Sequence, residues 1–172
     1  MKSLAEHMSV YAAYHRDPIN RAIHFVMVPA IVWSLMVALD HVGLGVIAGV
    51  PLTAAMAVTG ALLLWYLLLD FLVGLGATAA FTALLVSAVR LNDAVDLRTS
   101  LWIAGGVFVA SWVFQFLGHG VWEKRRPALV DNLFQVLVAP AFLVAETAFG
   151  LGLRKELRAE VRARMQEHLP AT

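Results

Sequence analysis

The sequence predicts an all-α, polytopic helical membrane protein with about four to five spanning helices, an interfacial N-terminal helix and an amphipathic C-terminal helix. Three observations carry this. Of 172 residues, 60% are hydrophobic and 15% charged, where a soluble domain carries about a quarter charged residues. Charges are missing from Ala22 to Leu39, His41 to Leu69, Phe71 to Val89 and Thr99 to Trp122, and each stretch is long enough to cross about 30 Å of hydrocarbon at about 1.5 Å per residue. The net charge is +1, and the cations gather in short segments between or beyond these runs, as topology determinants do. That balance offers no broad basic field for nucleic acid. There is no cysteine, which excludes disulfides, thiolate metal sites, covalently attached c-type haem and a thiol nucleophile. Any metal must be held by His, Asp, Glu or water.

The elements follow in order, within one membrane-embedded domain divided as an interfacial segment 1–17, a helical bundle 18–150 and an amphipathic tail 151–172. The opening residues are polar and mixed in charge, unlike the basic and then apolar start of a signal peptide, so no cleaved leader is expected. Residues 4–16 read as a short amphipathic helix at the interface, ended by Asp17-Pro18. Asp17 can cap the first spanning helix and Pro18 can sit in its first turn, where a missing N–H costs nothing. That helix is expected to reach about Leu39, kinked at Pro29, before a turn at Asp40-His41-Val42-Gly43. Leu44 to Leu69 reads as one tilted helix, or as two pieces broken near Pro51 or Gly60. Gly74-Leu75-Gly76 marks the next turn, Phe71 to Arg90 a third span, Asn92 to Arg98 a polar loop, and Ser100 to Trp122 a fourth span closed by Glu123-Lys124-Arg125-Arg126-Pro127.

Ala128 to Phe149 is apolar with Pro140 in its middle, so it either crosses or forms a re-entrant hairpin. With a cytoplasmic N-terminus, four crossings return Lys124-Arg125-Arg126 to the cytoplasm, and the tail's cations join them only if this fifth segment does not cross. Four crossings plus a hairpin are therefore expected. In the tail, Leu153, Leu157, Val161, Met165 and Leu169 recur at i+4 with Arg and Glu elsewhere; such a helix lies either on a bilayer surface or on the protein's own loops.

His15, His24 and His119 fall at ends of apolar spans that this topology puts on one side. His15 and His24 are nine residues apart, and nine steps of about 100° would point them oppositely on one straight helix. The Asp17-Pro18 break removes that objection by letting the chain bend. Asn20, one turn before His24, is placed to bond a ligand or orient the ring. Gln115, His119 and Glu123 are spaced four apart and share a helix face, with Gly118 and Gly120 leaving room beside the ring. Two histidines from one segment with His119 and Glu123 from the other make a nitrogen and oxygen donor set of the kind non-haem Fe(II) oxygenases use. Taken singly, each histidine is more simply a polar residue at headgroup level. His7, His41 and His168 read as solvent-facing. Lys124-Arg125-Arg126 is either a topology anchor or the counter-charge for a fatty acid carboxylate. Asp70, a carboxylate among leucines, either faces the site or marks a helix end.

Two stretches, Tyr14-His-Arg-Asp-Pro-Ile-Asn-Arg-Ala-Ile-His24 with Val28-Pro29 beyond it, and Gln115-Phe-Leu-Gly-His-Gly-Val-Trp-Glu-Lys-Arg-Arg-Pro-Ala-Leu-Val-Asp-Asn-Leu133, resemble the 2-hydroxy fatty acid dioxygenase family. The length and the layout of apolar segments between them extend the likeness over most of the chain. The resemblance implies an Fe(II)-dependent enzyme that takes a long-chain 2-hydroxy fatty acid and O₂ and yields the acid one carbon shorter. It implies iron binding by His15, His24 and His119. The residues themselves add a fourth-ligand or acid/base role for Glu123 beside Asn20, and substrate contacts from Arg125 or Arg126 and from Gln115. The resemblance also implies a lipid bilayer, either a bacterial inner membrane or the endoplasmic reticulum, and the four-crossing topology puts the active-site side in the cytoplasm. Two other readings of the residues stay open: a b-type haem protein with two axial histidines, and a non-enzymatic lipid-binding or transport protein.

Overall fold

The computed structural model describes residues 3–124, 127 and 133–168. The chain forms two compact units, one of residues 1–25 with 115–172 and one of residues 26–114. Seven α-helices are present among the described residues. Three helical stretches, Pro18–Asp40, Phe71–Ala94 and Leu97–Glu123, are long and apolar enough to cross a membrane. The helices Ala54–Leu69 and Gln135–Gly150 are apolar too, but at 16 residues each they fall short of the about 20 that a crossing needs. Of the four to five spans expected, three have full length among the described residues.

In the first unit, α1 (Leu4–Ala13) begins with a capping box. Ser3 Oγ accepts from the Glu6 N–H at 3.2 Å and Glu6 Oε2 accepts from the Ser3 N–H at 2.6 Å. Its buried face, Leu4, Ala5, Met8 and Tyr11, packs on α6 (Gln135–Gly150) and α7 (Lys155–Met165). Helix α6 is a single helix running through Pro140, so its described part is not a hairpin. The tail helix α7 buries Leu157 and Val161. Its apolar stripe is thus used against α1, and Arg164 adds an ion pair to Glu6 at 3.7 Å. Leu153 is left exposed, and Leu169 lies outside the described residues.

Helix α2 (Pro18–Asp40) starts as its sequence dictates. Asp17 Oδ1 accepts from the N–H groups of Ile19 at 2.8 Å and Asn20 at 3.1 Å. Its later turns enter the second unit and run through Pro29 to Asp40. There the chain departs from the expected helix. Gly43–Ile47 (β1) and Val50–Thr53 (β2) form an antiparallel hairpin. Three glycines and Pro51 within eleven residues deprive a helix of propensity, while Val46, Ile47 and Val50 favour strand. The turn is Ala48-Gly49, with both residues at positive φ (50° and 81°), as a two-residue hairpin requires. Helix α3 (Ala54–Leu69) begins directly after it, capped by Thr53.

The break between α3 and α4 (Phe71–Ala94) is Asp70 alone, and its carboxylate caps α4 by accepting from the Val73 N–H at 3.0 Å. Asp70 thus marks a helix end, one of the two readings its sequence position allows. Gly74 is no turn. It lies inside α4 where the helix meets α3, and a Cβ there would fall 2.6 Å from the Leu67 backbone. Small residues at such crossings let apolar helices pack closely where no water drives them together. The α4 seam, Gly74, Ala77, Phe81 and Ala88, recurs at about 3.5 residues, and Phe81 meets the buried Tyr66 of α3 edge-on.

Only Val95 and Asp96 separate α4 from α5 (Leu97–Leu117). The end of α4 is tied to α2 by Asn92 Nδ2, which donates to the Val37 carbonyl at 3.1 Å and to Asp40 Oδ2 at 2.9 Å. His41, expected to face solvent, is exposed but also holds Ser100 Oγ at 2.8 Å. Leu64, Leu68, Phe71, Leu75, Trp102 and Val109 stay exposed, an apolar surface that suits lipid better than water.

Replacing Gly74 by Ala is expected to lower the thermal midpoint of the detergent-solubilised protein, at a cost of about 1–3 kcal/mol for overpacking. Gly60→Ala, where a Cβ meets nothing within 4 Å, is expected to leave the midpoint unchanged or raise it. Equal midpoints for the two variants would contradict the packing role of Gly74.

Candidate metal centre

Three elements of the first unit converge on one point. His15 follows the end of α1, His24 sits in the second turn of α2, and His119 lies in a π-helical turn, Gly118–Glu123, that continues α5. Each ring offers one nitrogen to a group whose members lie within 4.8 Å of one another, and all three residues are buried. The bend at Asp17-Pro18 brings His15 and His24 together with Nε2 atoms 3.2 Å apart. The π turn was not foreseen from the sequence. Such single wide turns are often found at functional sites, and this one ends at Lys124 in the left-handed region, φ 53°.

The hydrogen bonds fix what the first two rings can do. His15 Nδ1 lies 2.7 Å from the Tyr11 carbonyl and His24 Nδ1 lies 2.8 Å from the Asn20 carbonyl. A carbonyl only accepts, so both Nδ1 atoms carry the proton, and each neutral ring presents a bare lone pair at Nε2. Two lone pairs facing at 3.2 Å repel unless something electropositive lies between them. Two nitrogens each about 2.1 Å from a shared ion, at angles between octahedral and tetrahedral, are about 3.0–3.4 Å apart. Histidine ligands that give their other N–H to a backbone carbonyl are the usual arrangement around a metal.

His119 completes the donor set. Its Nδ1 is buried with no hydrogen-bond partner among the described residues. The three residues thus fit a metal ion, by the chemistry of their donors and by an orphaned buried nitrogen. Burial, followed by the nearby charge that His24 would carry if protonated, holds the His15 pKa well below the ordinary histidine value, which keeps the ring in the ligand form. Tyr11 stacks on the His15 ring at 3.8 Å and 7°; burial raises its pKa, so its hydroxyl stays protonated. The ring centroids of the three histidines are 4.4, 4.7 and 5.0 Å apart, which leaves no space for a porphyrin between any two of them.

Glu123 does something other than point at this cluster. Its Oε1 accepts from the Arg16 N–H at 3.0 Å, and its Oε2 accepts from Arg16 N–H at 3.0 Å, Asp17 N–H at 2.9 Å and Asn20 Nδ2 at 3.1 Å. A carboxylate is at home against the free N–H groups before a helix. Here it clips the π turn bearing His119 to the bend that joins His15 to His24. Asn20 is fully buried and serves twice, through its side chain to Glu123 and through its carbonyl to His24. Gly118 is needed at this contact, since a Cβ would fall 2.5 Å from Asn20 Oδ1, whereas one on Gly120 would meet nothing within 4 Å. Gln115 is buried one turn before the π segment. Arg125 and Arg126 lie outside the described residues. Two contributions were not anticipated: the Tyr11 carbonyl, and the ion pair of Arg21 with Glu146 on α6. Neither has a signal in spacing, because one is backbone and the other joins residues 125 positions apart.

A helical fold with membrane-length apolar helices and a buried, all-imidazole cluster defines the class as a membrane-type protein with a candidate metal centre. The model of the Mpo1-like 2-hydroxy-palmitic acid dioxygenase family matches residues 1–151, and the chain belongs to that family. The 2-hydroxy-palmitic acid dioxygenase MPO1 of Saccharomyces cerevisiae is 39% identical over 157 residues, which is 91% of this chain and 86% of the yeast protein. No solved structure matches the chain.

Glu123→Gln keeps the shape of the clip but turns an NH₂ toward backbone N–H groups. It is expected to weaken metal binding about 10- to 100-fold, as loss of a partner behind a ligand does, with helix content retained; unchanged affinity in a metal titration would remove the clip from the account. Gly118→Ala is expected to lose metal as well, while Gly120→Ala keeps it. Equal metal content in the two glycine variants would show that the close approach to Asn20 does not matter.

Proposed function

We propose that this protein is an Fe(II)-dependent dioxygenase that converts a long-chain 2-hydroxy fatty acid and O₂ to the fatty acid one carbon shorter. The observation that carries the reading is the pair of Nε2 atoms facing at 3.2 Å, on rings whose Nδ1 atoms each meet a backbone carbonyl, with His119 beside them. Family membership and the name of the yeast relative supply the substrate class. The balance is RCH(OH)COOH + O₂ → RCOOH + CO₂ + H₂O. The carbon bearing the hydroxyl becomes the new carboxyl carbon, the C1–C2 bond breaks, and C1 leaves as CO₂. Oxidation of C2 gives three electrons and of C1 one, so O₂ is fully reduced without an external reductant.

Fe(II) on three imidazoles would supply open coordination positions and redox chemistry for substrate and O₂. The chain's own residues do the rest. The carbonyls of Tyr11 and Asn20 lock the His15 and His24 tautomers. Glu123, with Asn20, is a positioning residue that fixes the bend to the π turn. Burial around the rings keeps bulk water from a reactive centre. Apolar helices give the acyl chain a place to lie, which is why such chemistry suits a membrane protein. Lys124, Arg125, Arg126 and the tail arginines follow the histidine-bearing end of the helices, and we place that end on the cytoplasmic side of an endoplasmic reticulum or bacterial inner membrane.

The test is anaerobic reconstitution of detergent-purified protein with Fe(II), then addition of O₂ and 2-hydroxyhexadecanoate, with mass spectrometry of the extracted acids. Pentadecanoate formed only with both iron and O₂ is the expected result, and His24→Ala is expected to abolish it. Iron bound with substrate returned unchanged would overturn the substrate class, and failure to bind iron would overturn the enzyme.

A further inference from the structure

A cavity of about 260 Å³ lies in the first unit, with His15 in its wall. Four arginines line it: Arg16 and Arg21 from the bend and first turn of α2, and Arg158 and Arg162 from the tail helix α7. Against them stands one lining carboxylate, Glu146, which is paired with Arg21. The charge left over is positive. Arg158 and Arg162 are one turn apart on α7 and exposed, while the neighbouring Leu157 and Val161 are buried and hold the helix down. The cavity therefore runs from a cationic mouth to a wall shared with a candidate metal ligand. It is smaller than the about 300–1,000 Å³ of sites that enclose a drug-sized molecule, so it suits the polar end of an acyl acid rather than its tail. The family match ends at residue 151, before α7 begins at Lys155.

We infer that the tail helix completes the substrate site: Arg158 and Arg162, with Arg16, receive the carboxylate of the acyl acid in this cavity and make the enzyme select acids over neutral lipids. This rests on the function proposed above for its substrate, but not for its anion. A guanidinium fork grips a carboxylate through two parallel hydrogen bonds, and the wall formed by His15 places C1 and C2 of the acid next to the metal cluster. Arg158 and Arg162 are specificity-determining residues in this assignment. They act on binding of the acid.

The experiment compares wild type with R158Q/R162Q and with the charge-keeping R158K/R162K. Equilibrium binding of hexadecanoate and of hexadecan-1-ol to the metal-free full-length protein is measured in detergent, followed by KM and kcat of the iron-loaded enzyme with 2-hydroxyhexadecanoate. The expected result for R158Q/R162Q is hexadecanoate affinity down about 10- to 100-fold, the loss of charge-assisted hydrogen bonds, with hexadecan-1-ol unchanged. KM rises by a similar factor, kcat and iron content stay near wild type, and the lysine variant recovers most of the affinity. Unchanged hexadecanoate affinity and KM would overturn the inference. So would unchanged KM together with lost binding to vesicles containing phosphatidylglycerol, which would make the two arginines a membrane anchor. Absence of turnover by wild type would overturn the dioxygenase reading alone, since the metal-free binding measurement still decides the cavity.

Discussion

Two imidazole nitrogens, each stripped of its proton by the hydrogen bond on the far side of its ring, face one another at 3.2 Å. Buried lone pairs in opposition are costly, because desolvated acceptors without a donor lose their hydration and gain nothing. Three neutral histidines packed in this way make sense as a preorganised holder for a cation, and the surrounding structure serves to keep them there. Helix α1 stops at Ala13, short of the residue 16 expected, and Asp17 caps the start of α2 at Pro18, so the bend between them lets residues nine apart meet. Glu123 joins the bend to the π turn through four hydrogen bonds. Gly118 gives Asn20 the space to stand between them. Each of these supports the geometry that suits the three histidines to hold a metal ion.

The setting of the site follows from the same constraint. A polar cluster of this kind is expensive in an apolar environment, and here it sits at the ends of apolar runs, where cations and helix termini are within reach. The Tyr11 carbonyl comes from the last turn of α1, where carbonyls lack full helical partners, and the Asn20 carbonyl, in the first turn of α2, uses its second lone pair for the His24 ring. The apolar helices of the other unit carry no comparable cluster among the described residues. Their polar side chains instead tie helix ends, as Asn92 does to Asp40 and His41 does to Ser100.

What could be read from the sequence was local or strongly patterned. Charge-free runs revealed the long helices, and Asp17-Pro18 announced a cap and a break because both residues act through their own backbone geometry. The convergence of His15, His24 and His119 was legible once that break was admitted. Four features were hidden, each for a physical reason. The hairpin at 43–53 lies in an apolar stretch where hydropathy gives no period, so only its glycines and β-branched residues hinted at it. Gly74 looked like a turn because a glycine in a close crossing and a glycine in a bend are identical in sequence. The π turn moves Glu123 out of the simple i+4 register with His119, and its partners, the N–H groups of Arg16 and Asp17, are backbone atoms that no motif specifies. The docking of α7 on α1 depends on which apolar surface lies nearest, and amphipathic spacing is silent on that.

The most direct measurement is iron K-edge X-ray absorption on the anaerobic, Fe(II)-loaded, detergent-purified protein, paired with metal analysis. A stoichiometric ion whose outer-shell scattering requires about three imidazoles, with one imidazole lost in each of His15→Ala, His24→Ala and His119→Ala, is the result expected if the triad holds the metal. Full metal occupancy with unchanged scattering in those variants would place the ion elsewhere and contradict the account at its centre.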